Sequence, residues 1–582
     1  MGFFTSKIDI SYFNKSNVDY NKLSVIFLSM LIFSALSLKL HLVFRIPINQ
    51  DEFHYLSMIY KFMDGEPLGS INSFHVHFFS WVRFLNQNEV IQIIYARMVM
   101  FLLFAGTCIN LFLVGRYYLD KVSSLFSVLC YISFVFSVVN GASFRHDTIA
   151  TFLFLFALYL FITKKKSITY NVIAGIGIAA ALAFTIKSAI YLTVPGAFIL
   201  IRLIKRNRLR EIIIPTSGFI LALFFGFLII SEFHVTSVGT SLPHKVQAAS
   251  RAYSYFVFFE QLFPQFEIFR ILLRVDWIIW LFLTAGIIIY FFECLKSKKI
   301  IKNICIVVLL LPLFSILFYR NAFPYFYVFA IPTATLFCGF TLKKLTDIIR
   351  IKNHVICLLV IIIFSGVVFK NFITWYSAFS NKQIIGQKNT IDAIHQMFPN
   401  AVPYIDGCSV VSSYPDLGFF FSSAGMEAYL KMGKSVMEKS LNSKKPLFLV
   451  ANVPHLNLHS DTPAKSDTNL KLLTEDWQAL KSYFIHHWGP VWVVGKRFEF
   501  NSENEKQLFR IDVPGLYTLE GNKNVLIDGS LIQAGDVITL EAGEHLISYE
   551  GTIGAITLRW GDNLYKPLKE PDISDFFIGK FL

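Results

Sequence analysis

The 582-residue chain is 54% hydrophobic and 16% charged, with 62 phenylalanines and a formal net charge of +14. Soluble domains carry about a quarter charged residues, so this composition excludes an ordinary soluble fold and points to a polytopic membrane protein. The surplus Lys and Arg fall in short loops between apolar runs, which marks membrane topology rather than a nucleic-acid surface.

Residues 1–22 are polar and lysine-bearing, with no short early apolar core or small-residue cleavage site, so the first span reads as a retained helix. Apolar runs then predict about eleven spans, near 23–44, 90–115, 122–140, 148–163, 169–186, 188–204, 211–231, 273–293, 301–319, 322–342 and 354–374. Arg116 and Lys121, Lys164 to Lys166, Lys205 to Arg210, Lys296 to Lys302, and Lys343 to Lys352 occupy alternate loops. The positive-inside bias assigns these loops and the N-terminus to the cytoplasm. Loops 45–89, 141–147, 232–272 and 320–324 then face outward, with Lys187 between two spans on the same side. An odd number of spans sends the C-terminal region outside as well. Within the first outer loop, Leu56, Ile59, Tyr60 and Met63 make an apolar stripe over 50–64, ended by Gly65 and Pro67. Phe74, Phe78, Trp81 and Leu85 make another over 72–86. Both stretches, and 246–273, predict helices on the membrane surface.

Residues 376–500 alternate strand-like runs (447–450, 491–494) with a helical one (472–484), predicting an α/β region. Residues 501–582 predict a small β-sandwich from five short strands with regular turns and an Asp528-Gly529 hairpin signal. Trp488, Trp492, Trp560 and Tyr565 there either pack a core or stack on sugar. Cys408 is the one cysteine of this polar region, so the region has no internal disulfide. No Cys-x-x-Cys or Cys/His cluster suggests a zinc or redox site.

Ionisable residues gather where the spans meet the outer face. Asp51 and Tyr55 share a helical face while Glu52 points elsewhere. The pair Asp51-Glu52 either starts a helix, where acids are favoured, or carries chemistry. Arg145 and Asp147 open the fourth span, where charge is costly and lines polar cavities or pairs structurally. Lys187 either snorkels to the interface or holds a phosphate. Arg320 and Tyr325 open the tenth span; arginine suits phosphate, and Tyr325 also fits an interfacial anchor. His75 and His77, with Arg83, lie in the second surface stretch, and a His-x-His metal pair there needs a non-helical backbone.

Asp51-Glu52-Phe-His-Tyr55 in the first outer loop, Arg145-His-Asp147 at the fourth span, Lys187 between the fifth and sixth, and the run Tyr325–Pro332 together resemble the C-type integral membrane glycosyltransferases. The chain is most similar to the bacterial branch of the protein O-mannosyltransferase superfamily, with its aminoarabinose transferases and lipid A core galacturonosyltransferases. The resemblance covers about residues 20–375 and departs at His146 and at Thr185-Ile-Lys-Ser188. No Trp-Trp-Asp motif of the oligosaccharyltransferases is present.

The resemblance implies a multi-span glycosyltransferase domain over 23–375 followed by the two extracytoplasmic regions. It implies a sugar donor on polyprenyl phosphate and an acceptor that is a glycolipid such as lipid A, a glycan or a protein. The location implied is the bacterial inner membrane, with a periplasmic C-terminal domain. Asp51 is then the general base for an inverting displacement. Lys187, Arg320 and Arg83 stabilise the leaving lipid phosphate, while Glu52, Tyr55, Arg145, Asp147 and Tyr325 orient the base or bind substrate. The family admits a divalent metal ion, for which the sequence offers no ligand set, and no other cofactor is implied. A transporter or flippase of a glycolipid is the competing class, but the charges cluster at one face rather than mid-span. A mere anchor for the sandwich needs far fewer spans.

Overall fold

The computed structural model describes residues 20–66, 68, 74–204, 209–237, 262–296, 306–350, 353–460, 462–463, 470–501, 505–521, 524–549 and 554–571. The chain divides into two compact units, one of Met1–Ile46, Gly65–Phe78 and Ala96–Lys382, the other of Pro47–Asp64, Phe79–Tyr95 and Gln383–Leu582.

The first unit is helical. Among the described residues six helical stretches are long and apolar enough to cross a membrane: Tyr20–Val43 (α1), Glu89–Tyr118, His146–Thr163, Ile213–Ser237, Trp277–Lys296 and His354–Met397. Shorter apolar helices lie at Lys121–Ser133, Ile168–Phe184, Ile186–Ile201 and Val308–Leu317, overlapping four further predicted spans. The predicted span 322–342 is not one helix. Phe326–Ala330 is followed by a turn, and helix resumes at Leu336–Arg350. Pro332 lies in the gap, and a proline without an N–H also biases its predecessor against helix. Span 122–140 breaks at Phe134, whose ψ is 130°. Span 188–204 opens with a 3-10 turn, Ile186–Leu192, which carries Lys187. Small residues let helices approach closely: a Cβ on Gly339 would lie 2.6 Å from the Ser123 carbonyl of the neighbouring helix.

The first outer loop divides between the two units. The stretch 50–64 forms α2 (Gln50–Met63), as its capping signals dictate. Asn49 Oδ1 accepts the N–H groups of Asp51 and Glu52 at 3.0 and 3.2 Å, and Glu52 Oε2 accepts the Asn49 N–H at 3.2 Å. This reciprocal capping box satisfies orphan donors. Gly65 follows at φ +72°. The second stretch is not the single helix expected over 72–86. A one-turn helix, α3 (His75–Phe78), gives way at Phe79 to a 3-10 turn, Ser80–Phe84. In the first unit, Phe74 and Phe78 meet Phe184 edge-on, at 5.6 and 5.7 Å. Trp81 and Leu85, in the second unit, are exposed. Residues 72 and 73, most of 246–273, and the cations His244, Lys245 and Arg251 lie outside the described residues.

The second unit joins α2 and the start of helix Glu89–Tyr118 (α4) to the C-terminal region. His54 stacks on Phe420, with ring centroids 4.2 Å apart. Asn88 donates to Asp392 at 2.7 Å, and Glu89, fully buried, accepts from the Ser413 hydroxyl at 2.7 Å and pairs with His395 at 3.0 Å. Strands β1 (Tyr404–Ile405) and β2 (Phe448–Val450) pair in parallel. The sheet continues through β4 (Val491–Phe500), β11 (Gly554–Trp560), β6 (Gly515–Glu520) and β9 (Val537–Leu540), with β3 (Phe484–Trp488) also on β4. A second sheet has the order β5 (Lys506–Ile511), β10 (Gly543–Ser548), β7 (Val525–Ile527) and β8 (Ser530–Ile532). Phe498, Phe509, Leu519, Ile527, Ile547 and Leu558 from both sheets form one core. Asp528 and Gly529, at φ +51° and +83°, make the β7–β8 turn, as a type I′ hairpin requires. Trp488 and Trp492 are buried, so packing accounts for both.

One buried carboxylate staples this unit. Asp476, on the helix Thr474–Tyr483, accepts from the hydroxyls of Ser435 and Tyr429 at 2.5 and 2.6 Å. It also accepts the N–H groups of Met437, Glu438 and Val436 at 2.8, 3.0 and 3.1 Å, at the start of helix Met437–Lys444. Burial disfavours its charge, but these donors outweigh burial and hold its pKa below the ordinary value. Its contribution is therefore full above the unfolded value near 3.8 and is lost as pH falls through the folded pKa. Asp476→Ala is expected to cost the C-terminal region about 3 kcal/mol, with the difference from wild type shrinking at acid pH. Thermal melts at pH 7 and pH 3 check this, and a constant difference would show that the carboxylate's charge is irrelevant.

Candidate active site

In the first unit, Arg145 occupies the N-cap position of α7 (His146–Thr163), so Asp147 lies in its first turn. Fixed backbone at both elements brings the ionisable residues together. Arg145 Nε lies 3.3 Å from Asp147 Oδ2, and Lys187 Nζ lies 2.9 Å from Asp147 Oδ1. The two cations thus share one buried carboxylate. Tyr325 completes the cluster: the Arg145 guanidinium lies 3.5 Å from its ring centroid and the Lys187 ammonium 4.8 Å. Such stacking strengthens when desolvated. Lys187 is the accessible member, its side chain 12% exposed. An ammonium has three donors, and Asp147 takes one of them.

The floor of the cluster is closely packed. Tyr191, on the Lys187 turn, is sandwiched between Phe154 at 3.7 Å and Phe329 at 3.8 Å. Its hydroxyl donates to the Phe329 carbonyl at 2.7 Å and lies 3.1 Å from the Thr151 hydroxyl, which donates to the Asp147 carbonyl at 2.7 Å. His75 packs on Phe144 at 4.6 Å and faces the His146 ring at 6.4 Å. Burial lowers the His75 pKa to about 3, so its ring is neutral. His77 is hydrogen-bonded to His234 at 2.8 Å. Among the described residues no group of three or more His, Cys, Asp or Glu is disposed to hold a metal ion. Arg320 lies in the loop before Tyr325, where its carbonyl accepts from Gln265 at 2.9 Å.

In the second unit, Asp51, half-buried, and Glu52, fully buried, lie in the first turn of α2, with Tyr55 one turn on. Glu52 is engaged in the helix cap. Arg83 pairs with Asp64 at 2.6 Å and lies 4.6 Å over the Tyr60 ring, so it braces the C-terminal end of α2.

The segment 79–234 matches the family model described as dolichyl-phosphate-mannose-protein mannosyltransferase. No curated protein sequence matches the chain. Among solved structures, the Archaeoglobus fulgidus oligosaccharyltransferase AglB, in complex with an inhibitory peptide and a dolichol-phosphate, is similar at a TM-score of 0.52 and 10% identity. That match covers 90% of this chain and 94% of AglB. The chain has the C-type glycosyltransferase fold. ArnT from Cupriavidus metallidurans bound to undecaprenyl phosphate is similar at a TM-score of 0.48 and 11% identity, over 75% of this chain and 93% of ArnT.

Two further buried ionisable groups belong to no motif of the sequence. Lys39, inside α1, donates to the carbonyls of Ser137 and Val138 at 2.5 and 2.8 Å, capping the helix Val135–Asn140. Asp276 accepts the Val135 N–H at 2.9 Å and the Asn371 amide at 2.7 Å. Their signal was a lone charge within or beside an apolar run, which by itself marks a position where a span meets protein rather than lipid.

Proposed function

We propose that this protein transfers a sugar from a polyprenyl-phosphate carrier to an acceptor hydroxyl or phosphate at the outer face of a bacterial inner membrane, by an inverting displacement. The observation that carries the proposal is the convergence of Arg145 and Lys187 on Asp147 over the Tyr325 ring, in a fold shared with a protein bound to a dolichol-phosphate. In this reading the eleven predicted spans leave the C-terminal region in the periplasm, and the acceptor is a glycolipid, a glycan or a protein.

Each residue then has a role set by its chemistry. Asp51 takes the proton from the acceptor hydroxyl as the hydroxyl oxygen bonds to the anomeric carbon. The bond from that carbon to the phosphate oxygen breaks, and the electron pair leaves with the lipid phosphate. Lys187 uses its remaining donors on that phosphate, and Arg145 and Arg320 add positive potential around it. Asp147 and Tyr325 hold the two cations in place. Glu52 fixes the start of α2 and so aims Asp51, with Tyr55 on the same face toward substrate. Arg83 steadies the other end of that helix. A divalent ion is compatible with the reaction class, and no step here depends on one.

Mass spectrometry of envelope glycolipids and glycans tests the reading, using cells that lack the protein and carry either wild type or Asp51→Asn. Loss of one sugar, restored by wild type alone, is the expected result. A sugar restored equally by Asp51→Asn would transfer the base to another residue or favour transport.

A further inference from the structure

Helix Phe266–Val275, here α11, takes no part in the proposed site. It precedes helix Trp277–Lys296 (α12), with only Asp276 between them. Its attachment is well defined. The Phe263 N–H donates to the Leu317 carbonyl at 2.8 Å, and Gln265 donates to the Arg320 carbonyl at 2.9 Å. On its inner edge Leu272 is buried, and Phe269 meets Trp280 edge-on at 5.4 Å.

The opposite edge is chemically divided. Phe266 and Leu273, seven residues apart on one face of α11, are exposed, as is Trp277, the first residue of α12. One turn on from Trp277, Leu281 is exposed too, and α12 is apolar enough to cross a membrane. Beside these residues stand Arg270 and Arg274, one helical turn apart and both exposed. Arg270 pairs with Glu267 at 2.5 Å. Among the described residues Arg274 makes no ion pair or side-chain hydrogen bond.

We propose that α11 is an interfacial helix that holds an anionic phospholipid headgroup. The phosphate is taken by Arg274 and Arg270, and the acyl chains lie along Phe266, Leu273 and Trp277. Only Asp276 separates the exposed apolar residues of α11 from those of α12, which commits the covering to lipid, because whatever solvates the outer surface of α12 also reaches α11. The guanidiniums stand where a membrane-crossing helix begins, at headgroup depth, and their forked donors match a phosphate. A tryptophan at the start of the span fits the interfacial belt. The inference is independent of the reaction proposed above.

The test uses the full chain in nanodiscs of equal phosphatidylglycerol and phosphatidylcholine, with retained lipids counted by native mass spectrometry after extraction into detergent. Wild type is expected to retain phosphatidylglycerol preferentially. Arg274→Gln should cut that preference about five-fold, and Arg270→Gln/Arg274→Gln should abolish it. Glu267→Gln frees Arg270 and should raise it, a change of opposite sign that a misfolded variant would not give. Equal retention of the two lipids by wild type overturns the proposal, as does an unchanged preference in the double variant. Displacement of phosphatidylglycerol by a stoichiometric amount of added polyprenyl phosphate would reassign this surface to a carrier lipid. A dimer lost in Leu273→Asp would reassign it to a second copy of the chain.

Discussion

Asp51→Asn is expected to lower turnover by about 10²–10⁴ while leaving the protein folded, inserted and able to bind donor. The physical reason lies in the division of labour at the start of α2. Asn49 and Glu52 supply the reciprocal cap, with Glu52 buried beneath it, while the half-buried Asp51 gives its backbone N–H to that cap. Asn keeps the size of Asp51 and loses its proton affinity and charge. Losing an acid from a first helical turn costs only about 0.3–1 kcal/mol. Glu52→Ala should behave in the opposite way: the capping contact is lost, stability falls by about 0.5–2 kcal/mol, and the chemical step at permissive temperature is affected less. Single-turnover kinetics with a lipid-linked sugar, run beside thermal melts of both variants, separate the two roles. Near-wild-type turnover by Asp51→Asn would remove the general-base assignment.

Legibility in the sequence followed the range of the interactions involved. Apolar runs announced the membrane helices because lipid burial is a property of the run itself, and the Asp528-Gly529 turn was readable because its positive φ angles are a local demand. The Phe134 break was not readable. No proline or glycine stands there; the break is held by Asp276, 141 residues away, which accepts the Val135 N–H. The turn at 331–335 did have a local cause in Pro332, and the continuous apolar run masked it. The same contrast holds at the site. Arg145, Asp147 and Lys187 were visible as charges at span ends, and the fold brings all three into contact. Tyr325 reads in sequence as an interfacial anchor or a substrate contact, and only the folded chain shows its ring beneath two cations. The stripe over 72–86 failed as a single helix because its aromatic residues serve two different units, and periodicity says nothing about which partner a face will meet.

Asp147→Ala is expected to destabilise the membrane domain by about 3–5 kcal/mol, because it leaves Arg145 and Lys187 buried without the carboxylate they share. Lys187→Met should be far milder in stability. Asp147 keeps its contact with Arg145 at 3.3 Å, and Lys187 is the accessible member of the three. Its cost should appear instead in catalysis, as a raised KM for the lipid-linked donor and a lowered kcat, since the lost ammonium stabilises phosphate charge that grows as the bond breaks. The combination decides between a structural and a functional lysine. In Asp147→Ala/Lys187→Met one of the two stranded cations is gone, so part of the lost stability should return. Activity should not return with it, because the phosphate-binding donor is absent in both backgrounds. Melting temperatures and donor-saturation curves for the two single variants and the double variant measure the two effects separately. If the double variant recovers stability and activity together, Lys187 serves only to neutralise Asp147, and the phosphate must be held by other cations such as Arg320. If Lys187→Met loses donor affinity at unchanged melting temperature, the carboxylate is the post on which a substrate-binding lysine is mounted.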